Sequence, residues 1–252
     1  MPDHLPLLTI DGALASITLR RPALANRLEV EDLLTLQQQI KQVNAEPGVR
    51  VLLLRAEGRH FCSGFNIGAV PGVDAGALFE AMSNAVEDAR PLTVAAIQGG
   101  VYGGATDLAL ACDFRLGLPA CEMFVPAARL GLHFYRGGLQ RYVSRLGVNW
   151  AKRVLLAGEK LDAQAMLASG FLQRLLPDGA ALQEAASDLC GQLAAMAPLA
   201  AQGMKKHLNA IADGRLDSTA LQADIDRSSA SSDLVEGVSA WQAKREPRFK
   251  GC

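Results

Sequence analysis

The sequence lacks a charge surplus of either sign and any long apolar run. Its 25 basic and 26 acidic residues leave a formal charge of -1, which offers no general electrostatic reason to bind nucleic acid or an anionic membrane, so an anionic ligand must be met locally. No stretch reaches the roughly 18 apolar residues that span a bilayer. The segment MPDHLPLLTI has neither the basic start nor the apolar stretch of a secretion signal, and the expectation is a cytoplasmic protein. Cysteine is sparse: Cys62, Cys112, Cys121, Cys190 and Cys252 are odd in number and scattered without CxxC spacing, which argues against a zinc site or a disulfide framework. No internal repeat or low-complexity tract is visible.

What is present points to an α/β chain. Half of the 252 residues are apolar, enough for a substantial core in one large domain with a short appendage. Short β-type runs at Ala15–Leu19, Val51–Leu54, Thr93–Ile97 and Phe114–Leu116 alternate with helical patterns, the clearest carrying Val30, Leu33, Leu34, Ile40 and Val43 on one stripe. From about Ala181 the strand signals stop, and helical patterns at Leu182–Met196, Leu199–Ile211 and Leu234–Trp241 take over. The stretch Val70–Gly76 reads as a flexible loop.

Two segments carry chemistry. The first runs Arg55-Ala56-Glu57-Gly58-Arg59-His60-Phe61-Cys62-Ser63-Gly64-Phe65-Asn66 after the strand VLLL; the second runs Gln98-Gly99-Gly100-Val101-Tyr102-Gly103-Gly104-Ala105-Thr106-Asp107 and on to Cys112-Asp113. In the second, a glycine-rich turn places the unpaired N–H groups of a helix start beside the end of a strand. Rigid amides at such a helix start suit an oxygen on which negative charge develops. Glycine at 103 and 104 lets a ligand approach without a Cβ in the way.

The two segments resemble the signature stretches of the enoyl-CoA hydratase/isomerase (crotonase) family, approximately F-x-A-G-x-D and N-G-x-x-x-G-G-G-x-E-L-A-x-x-C-D. Ser16 to Pro22 with Asn26 resembles the family's opening strand and turn, and Glu236-Gly237 to Phe249-Lys250-Gly251 its closing helix. The resemblance implies a spiral of ββα units over residues 1–195, a helical oligomerisation region over 196–252, and a homotrimer or homohexamer. It implies an acyl-CoA substrate, no metal and no redox cofactor, and an oxyanion hole made by the amides of Ser63 and Gly104. It further implies contacts to coenzyme A from Arg21, Arg27, Phe61, Ser63, Phe65 and Lys250, the basic ones meeting its phosphates.

Two positions depart from the family pattern. Hydratases of the family use two glutamates; Asp107 stands at the first and Ala127 at the second, and alanine moves no proton. Asp107 is then the expected acid/base, and the unusual stretch Gly131-Leu132-His133-Phe134-Tyr135-Arg136 offers His133 and Tyr135 as replacements for the missing glutamate. An enoyl-CoA hydratase/isomerase-type enzyme is the expectation. The alternatives are a decarboxylase or carbon–carbon hydrolase of the same superfamily, or a catalytically silent acyl-CoA-binding relative.

Overall fold

The run Val51–Leu54 is apolar at every position because both of its faces are covered. In the computed structural model, which describes residues 4–66, 68 and 74–252, it lies in β3 (Val51–Ala56) near the middle of a six-stranded sheet. The strand order is β1 (Leu7–Asp11), β2 (Leu14–Leu19), β3, β4 (Leu92–Ile97), β6 (Phe114–Gly117) and β9 (Arg174–Leu175). Only β1 and β2 pair antiparallel; the other neighbours are parallel and joined by helical crossovers.

Alternate residues of the parallel strands serve different layers. Leu52, Leu54, Ala95 and Ile97 belong to the larger core with α1 (Val30–Ala45), α2 (Ala75–Glu87) and α3 (Gly104–Ala111). Val51, Leu53, Val94 and Leu116 face the other way and are covered by Leu182, Ala185, Ala186 and Cys190 of α7 (Gly179–Ala194). A smaller sheet of β5 (Val101–Tyr102), β7 (Glu122–Phe124) and β8 (Leu161–Asp162) flanks the start of α3. Along the chain, α4 (Arg136–Leu146) and α5 (Val148–Leu155) lie between β7 and β8, and α6 (Ala163–Ala168) between β8 and β9.

Several helices start after an Asp or Ser whose side chain caps them. Asp74 accepts from the Ala77 amide at the head of α2, and Asp178 does the same for Ala181 in α7. Of the loop expected at 70–76, residues 70–73 lie outside the described residues, and residues 75 and 76 already belong to α2.

The last part is helical as expected: α8 (Pro198–Ala212), α9 (Ser218–Ser229) and α10 (Ser232–Gln242). α8 returns to the sheet, where Lys205 Nζ donates to the Pro91 carbonyl at 2.8 Å and pairs with Asp113 at 3.0 Å. Arg50, just before β3, donates to the carbonyls of Ala194 and Phe249 at 2.9 and 2.6 Å, clamping both ends of the helical region to the sheet. Leu208, Val235 and Trp241 remain exposed. No described helix is long and apolar enough to cross a membrane.

Candidate active site

The loop after β3 is fixed before any ligand contact is considered. Asn26, at φ +53°, accepts from the Arg21 amide and donates to the carbonyls of Glu57 and His60, while Gln98 donates to those of Ala56, Gly58 and His60. The amides of Phe61 and Cys62 both donate to the Gly100 carbonyl, and the Tyr102 amide to that of Cys62. Two signature segments far apart in sequence are thereby stitched side by side. Cys62 is part of the stitching: burial pushes its thiol up to about 12, and it donates to the Asn26 carbonyl.

At the head of α3, Gly103 takes φ +55° and its own amide donates to the Phe124 carbonyl at 2.8 Å. The next amide, that of Gly104, has no acceptor among the described residues. Of the two amides expected to form the oxyanion hole, only this one is free. The Ser63 N–H donates to the Ala25 carbonyl at 2.9 Å, because the left-handed turn at Ala25 and Asn26 brings that carbonyl against the loop. Gly64, at φ +84°, would place a Cβ 2.6 Å from the Tyr102 carbonyl oxygen and 3.3 Å from the Gly104 nitrogen. Gly64→Ala is therefore expected to cost about 1–3 kcal/mol of stability and to weaken ligand binding by moving the Gly104 amide. Thermal unfolding and calorimetry check this, and a variant as stable and as tight-binding as the parent would contradict it.

Ser63, Phe65, Gly104, Ala127, His133 and Tyr135 line one cavity of about 270 Å³, walled by Phe79, Phe124, Leu130, Leu132 and Phe134. The structure thus brings together Ser63, Gly104, His133 and Tyr135 from three chain segments, with Ala127 open to the same space. Among its described lining residues there is no carboxylate. His133 is exposed, and its Nδ1 lies 2.7 Å from the Phe134 carbonyl. A carbonyl only accepts, so Nδ1 is the donor there, and a ring with a single proton has Nε2 as its acceptor.

Asp107 is fully buried and does not line the cavity. Arg141 grips it with Nε and Nη2, each at 2.8 Å, and the Tyr135 hydroxyl donates to Oδ2 at 2.7 Å. Arg141, itself without exposure, also donates to Asn84 and Glu87, and Arg145 completes the cluster on Glu87. Burial works against the Arg141 charge, but hydrogen bonds and attraction from Asp107 and Glu87 outweigh it and raise its pKa. Burial first, and the Asp107 carboxylate second, hold the Tyr135 phenol well above the ordinary phenol range, so it stays protonated.

Three residues expected at the coenzyme are placed elsewhere. Phe61 is fully buried in the main core, because its side chain points under the loop and not out of it. Arg21 turns inward to Asp32, at 2.9 Å. Lys250 lines a separate groove with Arg50, Arg90 and Lys206, on the side of α8. Arg27 is half exposed and paired with Glu29 at 2.8 Å.

The residues not singled out in the sequence are Arg141, Phe79 and Tyr102. A signal for Arg141 exists: Asp107 sits in the otherwise apolar run ATDLALA, and a carboxylate on such a helix calls for a buried cation elsewhere. Phe79 carries no signal beyond its place on the apolar stripe of α2. Tyr102 donates to Glu122 at 2.7 Å; burial and that carboxylate push its phenol up to about 12.

Residues 9–252 match the sequence family described as enoyl-CoA hydratase/isomerase. Among characterised proteins, the chain is 30% identical to a carnitinyl-CoA dehydratase of Proteus mirabilis, covering 97% of each. It is 28% identical to a 2,3-dehydroadipyl-CoA hydratase of Escherichia coli, over 93% of this chain and 94% of that one. Among solved structures, an enoyl-CoA hydratase/carnithine racemase of Magnetospirillum magneticum superposes with a TM-score of 0.91 at 26% identity, covering 98% of this chain and 96% of that one. An enoyl-CoA hydratase of Bacillus anthracis gives 0.88 at 28% identity, with 98% and 99% covered. The free amide at the head of α3, the stitched glycine loops and these full-length matches agree: the chain belongs to the enoyl-CoA hydratase/isomerase family of the crotonase superfamily.

Proposed function

We propose that this protein acts on a coenzyme A thioester as a one-base isomerase, with the thioester oxygen held at the Gly104 amide and His133 Nε2 carrying the proton. The observation behind this reading is the make-up of the cavity: His133 lines it with a free basic nitrogen, and no carboxylate does among the described residues. Adding water across a double bond in this family calls for two carboxylates, whereas an allylic shift needs one base. His133 takes the proton from the carbon next to the carbonyl, and the electron pair moves onto the thioester oxygen. The Gly104 N–H and the dipole of α3 stabilise the charge there. The pair then returns through the chain, and the imidazolium gives the proton to the γ-carbon, so no atom is gained or lost. Arg27, at the half-exposed opening turn, is the basic residue available to the coenzyme's phosphates. The exposed Leu208, Val235 and Trp241 suit packing against further copies in a homotrimer or homohexamer.

The test is turnover of a 3-enoyl-CoA beside crotonyl-CoA. The wild-type protein is expected to convert the first to its 2-enoyl isomer and to hydrate the second only at background. His133→Ala should lower isomerisation by at least about 100-fold. Vigorous hydration of crotonyl-CoA would overturn the reading, and turnover of malonyl-type thioesters alone would point to decarboxylation. One observation favours a second reading, a silent acyl-CoA-binding protein: the Ser63 amide is already spent on Ala25, which leaves the oxyanion hole with one donor. Tight binding of both thioesters without turnover of any would select it.

A further inference from the structure

We infer that Tyr135 sets the depth of the acyl pocket and that the buried Asp107–Arg141 pair positions it, so that the carboxylate on α3 sorts acyl groups by size instead of moving protons. The inference rests on the cavity's taking an acyl-CoA, and it concerns residues that the proposed proton transfer does not use.

Away from the cavity side, neighbouring side chains and backbone hold the Tyr135 ring. Gly138, one turn into α4, has no room for a side chain: an added Cβ would stand 2.7 Å from the Phe134 ring and 2.8 Å from that of Tyr135. Phe134 stacks beside it, with centroids 5.1 Å apart and planes at 29°, and Phe79 faces it at 6.4 Å and 28°. Phe79 in turn borders the amide that would hold the thioester, since a Cβ on Gly104 would lie 2.8 Å from its ring. An acyl chain starting at Gly104 therefore runs along Phe79 and meets Tyr135.

The remaining constraint is at the ring's tip. Tyr135 belongs to the segment leading into α4, and its hydroxyl, with Ser83 beside it, donates to Asp107 Oδ2 at 2.7 Å. Asp107 can serve as an anchor because Arg141 holds it in place with two charge-assisted hydrogen bonds. Every acceptor site of the carboxylate that faces a donor is thus occupied by Arg141 or Tyr135, and Tyr135 separates it from the cavity. Remove the charge and the phenol loses its partner; remove the ring and the pocket lengthens toward Asp107.

Binding distinguishes these roles without relying on turnover. Calorimetry with butyryl-CoA and octanoyl-CoA on the wild-type protein is expected to favour the shorter chain. In Tyr135→Ala the ratio of octanoyl to butyryl affinity should rise at least about tenfold, because several methylenes gain apolar burial. Asp107→Asn should shift the ratio in the same direction by roughly threefold or more, the effect of one lost hydrogen bond. Should that variant not fold, Tyr135→Phe, which keeps both the ring and the ion pair, is expected to give the same roughly threefold change. An unaltered ratio in folded Tyr135→Ala overturns the inference. So does Asp107→Asn with wild-type selectivity and isomerase turnover down about 100-fold, the mark of an acid/base. Failure of the wild-type protein to bind either thioester would overturn the acyl-CoA reading, and this inference with it, whereas binding with an unaltered ratio overturns the inference alone.

Discussion

Gly104→Pro should reduce turnover by at least about 100-fold, the usual cost of losing an oxyanion donor. Gly104 is the first residue of α3, a position where proline fits the helix and its missing N–H leaves no intrahelical bond unmade. The secondary structure should therefore survive, as circular dichroism would record, while the free amide at the head of α3 is gone. The ring also enters space taken by Phe79, whose side chain would sit 2.8 Å from a Cβ there. Gly104→Ala separates the two effects, since it keeps the N–H and introduces only the clash. A folded Gly104→Pro variant with unchanged turnover would show that this helix start does not hold the thioester oxygen.

Arg141→Met should destabilise the protein by about 3–5 kcal/mol, because it leaves the Asp107 carboxylate buried without its counter-ion. For a domain of this size that is a fall in melting temperature of roughly 10 °C. The double change Arg141→Met with Asp107→Leu removes both charges and should recover much of the loss, an interaction that a thermodynamic cycle measures. Arg153 and Glu159 form an ion pair of similar length at the surface, with side chains 48% and 37% exposed; Arg153→Ala should leave the melting temperature unchanged. If Arg141→Met melts with the wild-type protein, the cluster on α3 and α4 is not the buried ion pair described.

The parts of the fold that could be read from the sequence are those with a period. Val51–Leu54 is apolar throughout because α1 and α7 cover its two faces, and the glycine turn before Asp107 marked a helix start within one residue of where α3 begins. Strands β5, β8 and β9 span two residues each, too few for an alternation to register. The site was legible as backbone and much less so as side chains. Ser63 and Gly104 follow from the motif, but whether an amide is free depends on a carbonyl elsewhere, and the Ala25 carbonyl is placed by a left-handed turn no motif announces. Asp107 has the same difficulty: it stands one turn behind the glycine expected at an oxyanion hole, and nothing near it in the sequence announces that Arg141, 34 residues later, holds it. Phe61 misled for the opposite reason, since a phenylalanine in a glycine-rich loop anchors the loop by being buried.

The clamp at Arg50 bears on how the chain is made. Its two carbonyl partners lie 144 and 199 residues further on. At ribosomal speeds of roughly 5–20 residues per second, Arg50 waits about 10–40 s for Phe249 to exist. Over most of that interval α7 is also unmade, so Val51, Leu53, Val94 and Leu116 present an apolar sheet face with nothing to cover it. A growing chain halted before residue 179 is thus a sticky half-sandwich, and this protein's dependence on chaperones should fall in the last third of its synthesis.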